Sequence, residues 1–162
     1  MPDNPAPPET RARLIIVCGL PGSGKTTLAR GLEQRLGAVR LAPDEWMATL
    51  RLDLYDEASR ARVEALQWQI GQRLLALGQI VIIEWGTWAR DERDTLRLGA
   101  RALGAGVELR YLAESEEVLW QRIERRAQEQ PPITMAMVAE WAALFQAPTE
   151  EEVGLFDPPL QA

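Results

Sequence analysis

The chain contains no histidine. That absence excludes Ser–His triads, imidazole general bases and zinc sites built on imidazole, so any proton chemistry falls to carboxylates. Cysteine is nearly missing as well. Cys18 stands alone inside an apolar run, which rules out an internal disulfide framework and fits a reducing compartment. Basic residues are in deficit: 18 Lys and Arg against 24 Asp and Glu leave a net charge of -6. A dedicated nucleic-acid surface usually reads as a basic stripe, so nucleic acid is not the expected partner. No apolar run reaches the length of a membrane span, and no membrane partner is expected. The opening segment, MPDNPAPPETRAR, holds four prolines and no apolar core of the kind a signal peptide needs. The expectation is a flexible tail over 1–12, a second tail over 158–162, and a cytoplasmic address.

What is present is ordinary for a globular protein. Apolar residues make up 46% of the 162 and charged residues 26%, enough to build one core, and no composition shift divides the stretch 13–157. β-Branched and apolar runs at Leu14–Cys18, Val39–Ala42, Ile80–Trp85 and Val107–Leu112 predict strands. Between them the apolar period is 3.6. Leu28, Leu32 and Leu36 share one face before Gly37. Val63, Leu66, Ile70, Leu74 and Leu77 form a second stripe before Gly78, and Leu96, Ala100 and Leu103 a third before Gly104. Ser115 reads as the N-cap of a helix with Glu116 and Glu117 in its first turn, running to about Glu129 where QPP breaks it. A last helix fits Thr134–Phe145, and EVGLF (Glu152–Phe156) predicts a short fifth strand. Alternation of this kind implies right-handed βαβ units and a three-layer, doubly wound α/β fold on a mostly parallel sheet.

Directly after the first strand, GLPGSGKT (Gly19–Thr26) matches G-x-x-x-x-G-K-[ST], and an amphipathic helix follows. This is the P-loop pattern in its required context. Gly19, Gly22 and Gly24 let backbone N–H groups, including those of Ser23 and Thr27, converge on a phosphate without side-chain clash. Lys25 reaches the β- and γ-phosphates, and the Thr26 hydroxyl faces Mg²⁺. The expected ligand is a nucleoside triphosphate. Length leaves little room for the coupling machinery of a motor or switch, whereas a small kinase needs only a base, a magnesium site and cations around the moving phosphoryl group.

Asp44, in RLAPDEW, follows the second strand and stands at the carboxyl edge of the sheet, where ligands bind in open α/β folds. It is the candidate base, and the same position suits a helix N-cap after Pro43. Glu84 closes the third strand, where a carboxylate beside a P-loop usually holds a magnesium-bound water; an ordinary strand-end carboxylate is the plainer alternative. Arg93 continues the inner stripe of Leu96 and Ala100, so it points either at the sheet edge or into a structural ion pair. Arg122, Arg125 and Arg126 share a helical face suited to a phosphate lid, or to solvent and glutamates. Of these, Arg122 and Arg125 are the candidates. Trp46, Trp85 and Trp88 flank the two carboxylates and are candidate walls of an acceptor pocket, while Trp68, Trp120 and Trp141 read as core.

At these residues the chain resembles the zeta-toxin and chloramphenicol-phosphotransferase-like group of small P-loop kinases, often labelled AAA family ATPases. The likeness runs from Arg13 to Glu151, through GLPGSGKTTLA, LAPDEWMATL, RVEALQW, EWGTWARDERD, LWQRIERR and FQAPTEEE. It implies strand order 2-3-1-4-5, ATP with Mg²⁺, and transfer of the γ-phosphoryl group to a hydroxyl of a small molecule. Asp44 matches the base of the group, and Arg93, Arg122 and Arg125 match arginines around acceptor and phosphate. Two features depart from the pattern. Glu84 stands where Asp is commoner, and the helical insertions of true zeta toxins are missing, which points away from a nucleotide-sugar acceptor. Two other functions fit a P-loop domain of this size: a polynucleotide 5′-hydroxyl kinase, and a nucleotide-binding regulatory ATPase without an acceptor.

Overall fold

A computed structural model describes residues 12–127 and 132–160. The expected N-terminal tail up to residue 11, and Gln130 and Pro131 of the QPP break, lie outside the described residues. The elements in chain order are β1 (Arg13–Cys18), α1 (Lys25–Leu36), β2 (Val39–Leu41), α2 (Pro43–Thr49), α3 (Glu57–Ala76), β3 (Ile80–Gly86), α4 (Arg90–Ala102), β4 (Gly106–Tyr111), α5 (Glu116–Arg126), α6 (Met135–Leu144) and α7 (Glu150–Val153).

The four strands pair in parallel in the order β2-β3-β1-β4. β1 lies in the middle with Ile15 opposite Ile82 on one side and Glu108 on the other. Alternation along the strands then sorts the core into two layers. Leu14, Ile16, Val81, Ile83 and Val107 face α3 and α4, meeting Leu75, Leu96 and Ala100. Ile15, Val17 and Ile82 face α1, meeting Ala29 and Leu32. A third cluster, built from Leu119, Ile123 and Val138, packs α5 and α6 against Leu20. Full burial of each large aliphatic side chain in these layers contributes about 1.5–3 kcal/mol. Helices on both faces of a parallel sheet make this the doubly wound P-loop architecture expected from the sequence.

Three details differ from that expectation. Glu152–Phe156 does not form a fifth strand: Thr149 caps α7 by accepting a hydrogen bond from the Glu152 N–H, and three glutamates occupy the first turn, where the helix dipole favours them. The chain still returns to the sheet edge at one point, where the Asp157 N–H donates to the Val107 carbonyl and its carboxylate accepts from the Val107 N–H and from Arg101. The buried stripe of α3 is Ser59, Val63, Gln67, Gly71 and Leu75, one position away from the expected face, leaving Leu66 and Leu77 exposed. Close approach decides it, since a Cβ on Gly71 would lie 3.3 Å from Leu41. Leu103 caps α4 and is exposed instead of extending its inner face.

Candidate active site

The site is assembled at the carboxyl edge of the sheet. The P-loop leaves β1, and its Gly19 N–H donates to the Gly86 carbonyl at 3.2 Å, tying the loop to the end of β3. Gly24 caps α1 in the left-handed region at φ 95°, which turns the chain so that Lys25 begins the helix. Gly22 also has positive φ, and a Cβ there would lie 3.0 Å from the Leu119 carbonyl and 3.2 Å from Ile123. The loop is thus wedged under α5, and only glycine fits. Ser23 is buried within it, and its Oγ has no hydrogen-bond partner among the described residues. A buried, unpaired hydroxyl inside a glycine-lined backbone cradle fits a phosphate group.

Lys25 Nζ donates to the Leu20 carbonyl at 2.9 Å. Desolvation pushes its ammonium down to about 8, against the upward pull of Glu84 and Asp44. Thr26 Oγ1 donates to Glu84 Oε1, while Glu84 Oε2 accepts from Arg40 Nη1 at 2.8 Å. Arg40 is itself clamped by Glu33 and Glu45, so the Glu84 carboxylate is held from behind and presented to Thr26. A hydroxyl and a carboxylate in contact at the mouth of the P-loop are the oxygen donors Mg²⁺ favours, and Thr26 and Glu84 are the residues that could hold it.

A cleft of about 630 Å³ opens over these groups. Gly22, Gly24, Lys25, Thr26 and Thr27 line it together with Asp44, Glu84, Trp85 and Trp88. Asp44 is 70% exposed and forms an ion pair with Arg60. It sits in the first turn of α2 while Ala42 occupies the N-cap, so capping does not explain it. Trp85 is fixed at the wall because its Nε1–H donates to Gln67 Oε1 at 2.9 Å. Trp88 meets Trp141 with ring centroids 6.1 Å apart, and both line the cleft.

Other expected site residues are placed elsewhere. Arg93 is fully buried and does not line the cleft. Its donors go to Glu152 (2.5 and 3.0 Å) and to the carbonyls of Thr87, Trp88 and Gln146. The structural ion pair is the arrangement observed. Arg122 reaches the P-loop, donating to the Gly22 carbonyl at 3.2 Å and to Glu114 at 2.9 Å. Arg125 is exposed and off the cleft, whereas Arg126 lines it. Trp46 packs against the core under the sheet, and Trp141, expected in the core, takes a place in the wall. Sequence reading missed Arg60 and Glu64, although their i, i+4 spacing on α3 was a usable signal, as well as Glu57, Glu92 and Arg40. Burial pushes the Cys18 thiol up, which removes it as a nucleophile.

Known proteins resemble this chain in sequence and in fold. Residues 14–148 match the model of a family described as an AAA domain. The chain belongs to that family. Curated relatives in Mycobacterium tuberculosis and Mycobacterium bovis, both uncharacterised, are 34% identical over 146 residues, covering 81% of this chain and 29% of theirs. The chain therefore spans less than a third of the length of the curated relatives it matches. Among solved structures, a gluconokinase from Sinorhizobium meliloti superposes with a TM-score of 0.61 at 20% identity, covering 86% of this chain and 78% of the other. The Mycobacterium tuberculosis APS kinase, solved with AMPPNP and APS, gives 0.61 at 22% identity, covering 76% and 77%. At such identities the likeness is one of fold, and the AAA domain here has the architecture of P-loop kinases. No helix among the described residues is long and apolar enough to cross a membrane.

Proposed function

We propose that the protein is an ATP-dependent phosphotransferase acting on a hydroxyl of a small molecule, akin to the zeta-toxin and chloramphenicol-phosphotransferase-like group. One observation carries the reading: a single cleft joins the P-loop and the Thr26–Glu84 pair to an exposed carboxylate, Asp44, with aromatic walls beyond it. A nucleotide sensor needs the first half of that cleft and has no use for the second.

In this account the backbone from Gly22 to Thr27 and the Lys25 ammonium cradle the β- and γ-phosphates, and Arg126 and Arg122 approach from α5. Magnesium, when bound, offsets charge on the phosphate oxygens; Thr26 and Glu84 would hold it. The acceptor hydroxyl gives its proton to Asp44, which Arg60 keeps in place. Its oxygen forms a bond to the γ-phosphorus while the bond from that phosphorus to the β–γ bridging oxygen breaks, leaving ADP. Arg40 acts through Glu84 as a positioning residue.

Asp44→Asn tests this directly. It should bind ATP as the parent does and lose about 10²–10⁴-fold in transfer, the usual contribution of a positioned base. A fully active variant would remove Asp44 from the mechanism. ATP hydrolysis stimulated by a partner protein, with no phosphorylated small molecule, would favour the regulatory ATPase instead.

A further inference from the structure

Once Lys25 and Arg126 serve the nucleotide and Glu84 with Thr26 the metal, the remaining lining of the cleft has a lopsided charge. Three helices bring carboxyl groups to it: Asp44 from α2, Glu57 and Glu64 from α3, and Glu92 from α4. Among the described residues lining that part, Arg60 is the cation, and it is already engaged with Asp44 and, at 3.7 Å, with Glu64. Glu57, Arg60 and Glu64 recur at i, i+3 and i+7 of α3, so a single helical face presents them. Burial pushes the Glu64 carboxyl up to about 7 against the pull of Arg60, with Glu92 and Asp44 adding smaller upward pushes.

Two further features of the cleft bear on what it could hold. Trp85, Trp88 and Trp141 wall it, and aromatic faces attract cations. Thr87, only 4% exposed, also lines the cleft, and its Oγ1 hydroxyl has no hydrogen-bond partner among the described residues. A buried hydroxyl left unpaired costs stability unless something arrives to pair with it.

We infer that the acceptor is a cationic alcohol, an amino-alcohol or amino sugar, whose ammonium lies among Glu57, Glu64 and Glu92 against the tryptophan faces while its hydroxyl meets Asp44. This rests on the phosphotransferase reading above and narrows its substrate class. An anionic acceptor would bring a further negative charge beside four carboxyl groups whose one guanidinium is already shared. A neutral acceptor would gain nothing from their charge. The ammonium gains from both the carboxylates and the rings.

Matched pairs test it: serinol against glycerol, 2-aminoethanol against ethylene glycol, glucosamine against glucose, with gluconate as the anionic member. Each is offered to the protein with Mg·ATP, and the phosphorylated product is followed by mass spectrometry. Binding to the AMP-PNP-loaded protein is measured in parallel by calorimetry. The amine member of each pair should be used at least tenfold better in kcat/KM. Glu64→Gln and the more exposed Glu57→Gln should each reduce that ratio several-fold. Equal use within the pairs, or a preference for gluconate, overturns the inference and leaves the phosphotransferase standing. Amines that bind selectively without being phosphorylated support the charge selection and count against the transfer reaction. Neither selective binding nor any product overturns both.

Discussion

At the scale of single residues, two cations divide the work. Lys25 is desolvated and forms no ion pair among the described residues, and its ammonium is lowered to about 8 despite the pull of Glu84 and Asp44. Because the folded value lies below the ordinary 10.5, the cost to folding is full below pH 8 and is relieved as the pH rises toward 10.5. A triphosphate at the loop restores the charge. Nucleotide affinity should therefore hold steady below pH 8 and fall above it, with proton uptake on binding, as read by calorimetry in buffers of different ionisation enthalpy. Affinity that stays flat to pH 10 would contradict this. Lys25→Ala should cost about 10²–10³-fold in turnover, the usual price of one preorganised donor. Arg93 is the opposite case, buried and satisfied by Glu152 and three carbonyls. Arg93→Ala strands the Glu152 carboxylate, 1% exposed, and should destabilise the fold by about 3–5 kcal/mol in denaturant titration. A loss below 1 kcal/mol would return Arg93 to the list of ligand-binding residues.

At the scale of elements, local signals were legible where backbone chemistry is local. The Ser115 cap and the Gly37 stop lie where the residue types place them, and the last helix begins at its Thr134 cap, the residue at which it was expected to start. Failures came where a neighbour decides. Leucines at 66 and 77 suggested one face of α3, but α3 approaches Leu41 and Val81 closely, and Gly71 permits that approach. EVGLF has strand composition, yet the Thr149 cap and glutamates upstream begin a helix first. Arg93 lies on the inner face of α4 as its spacing requires, but its partner Glu152 is 59 residues away and has no periodic relation to it. Gly99 illustrates the same dependence on packing. Helix propensity favours Ala over Gly by about 1 kcal/mol, yet a Cβ at this position would lie 2.7 Å from Trp68 Cζ2. Gly99→Ala should therefore destabilise, by about 1–3 kcal/mol, as overpacking does. An upward shift of the denaturation midpoint would contradict the α3–α4 packing described.

At the scale of the whole molecule, parallel strands send every βα connection to one edge, so residues far apart in sequence meet there. That is why the nucleotide half of the site was readable: the P-loop is contiguous, and Glu84 ends the strand beside it. The half proposed to take the acceptor was readable only at Asp44, Trp85 and Trp88. Its carboxyl groups come from three helices, and only the Arg60–Glu64 spacing hinted at them. The account's central claim is that the two halves form one reaction site. Its most direct measurement is ADP production with Mg·ATP, with and without a panel of hydroxyl compounds and an oligonucleotide, while mass spectrometry searches for products heavier by one phosphoryl group. The account predicts acceptor-dependent ADP release matched by a phosphorylated small molecule, both lost in Asp44→Asn. ADP release that ignores every acceptor and survives Asp44→Asn would contradict it.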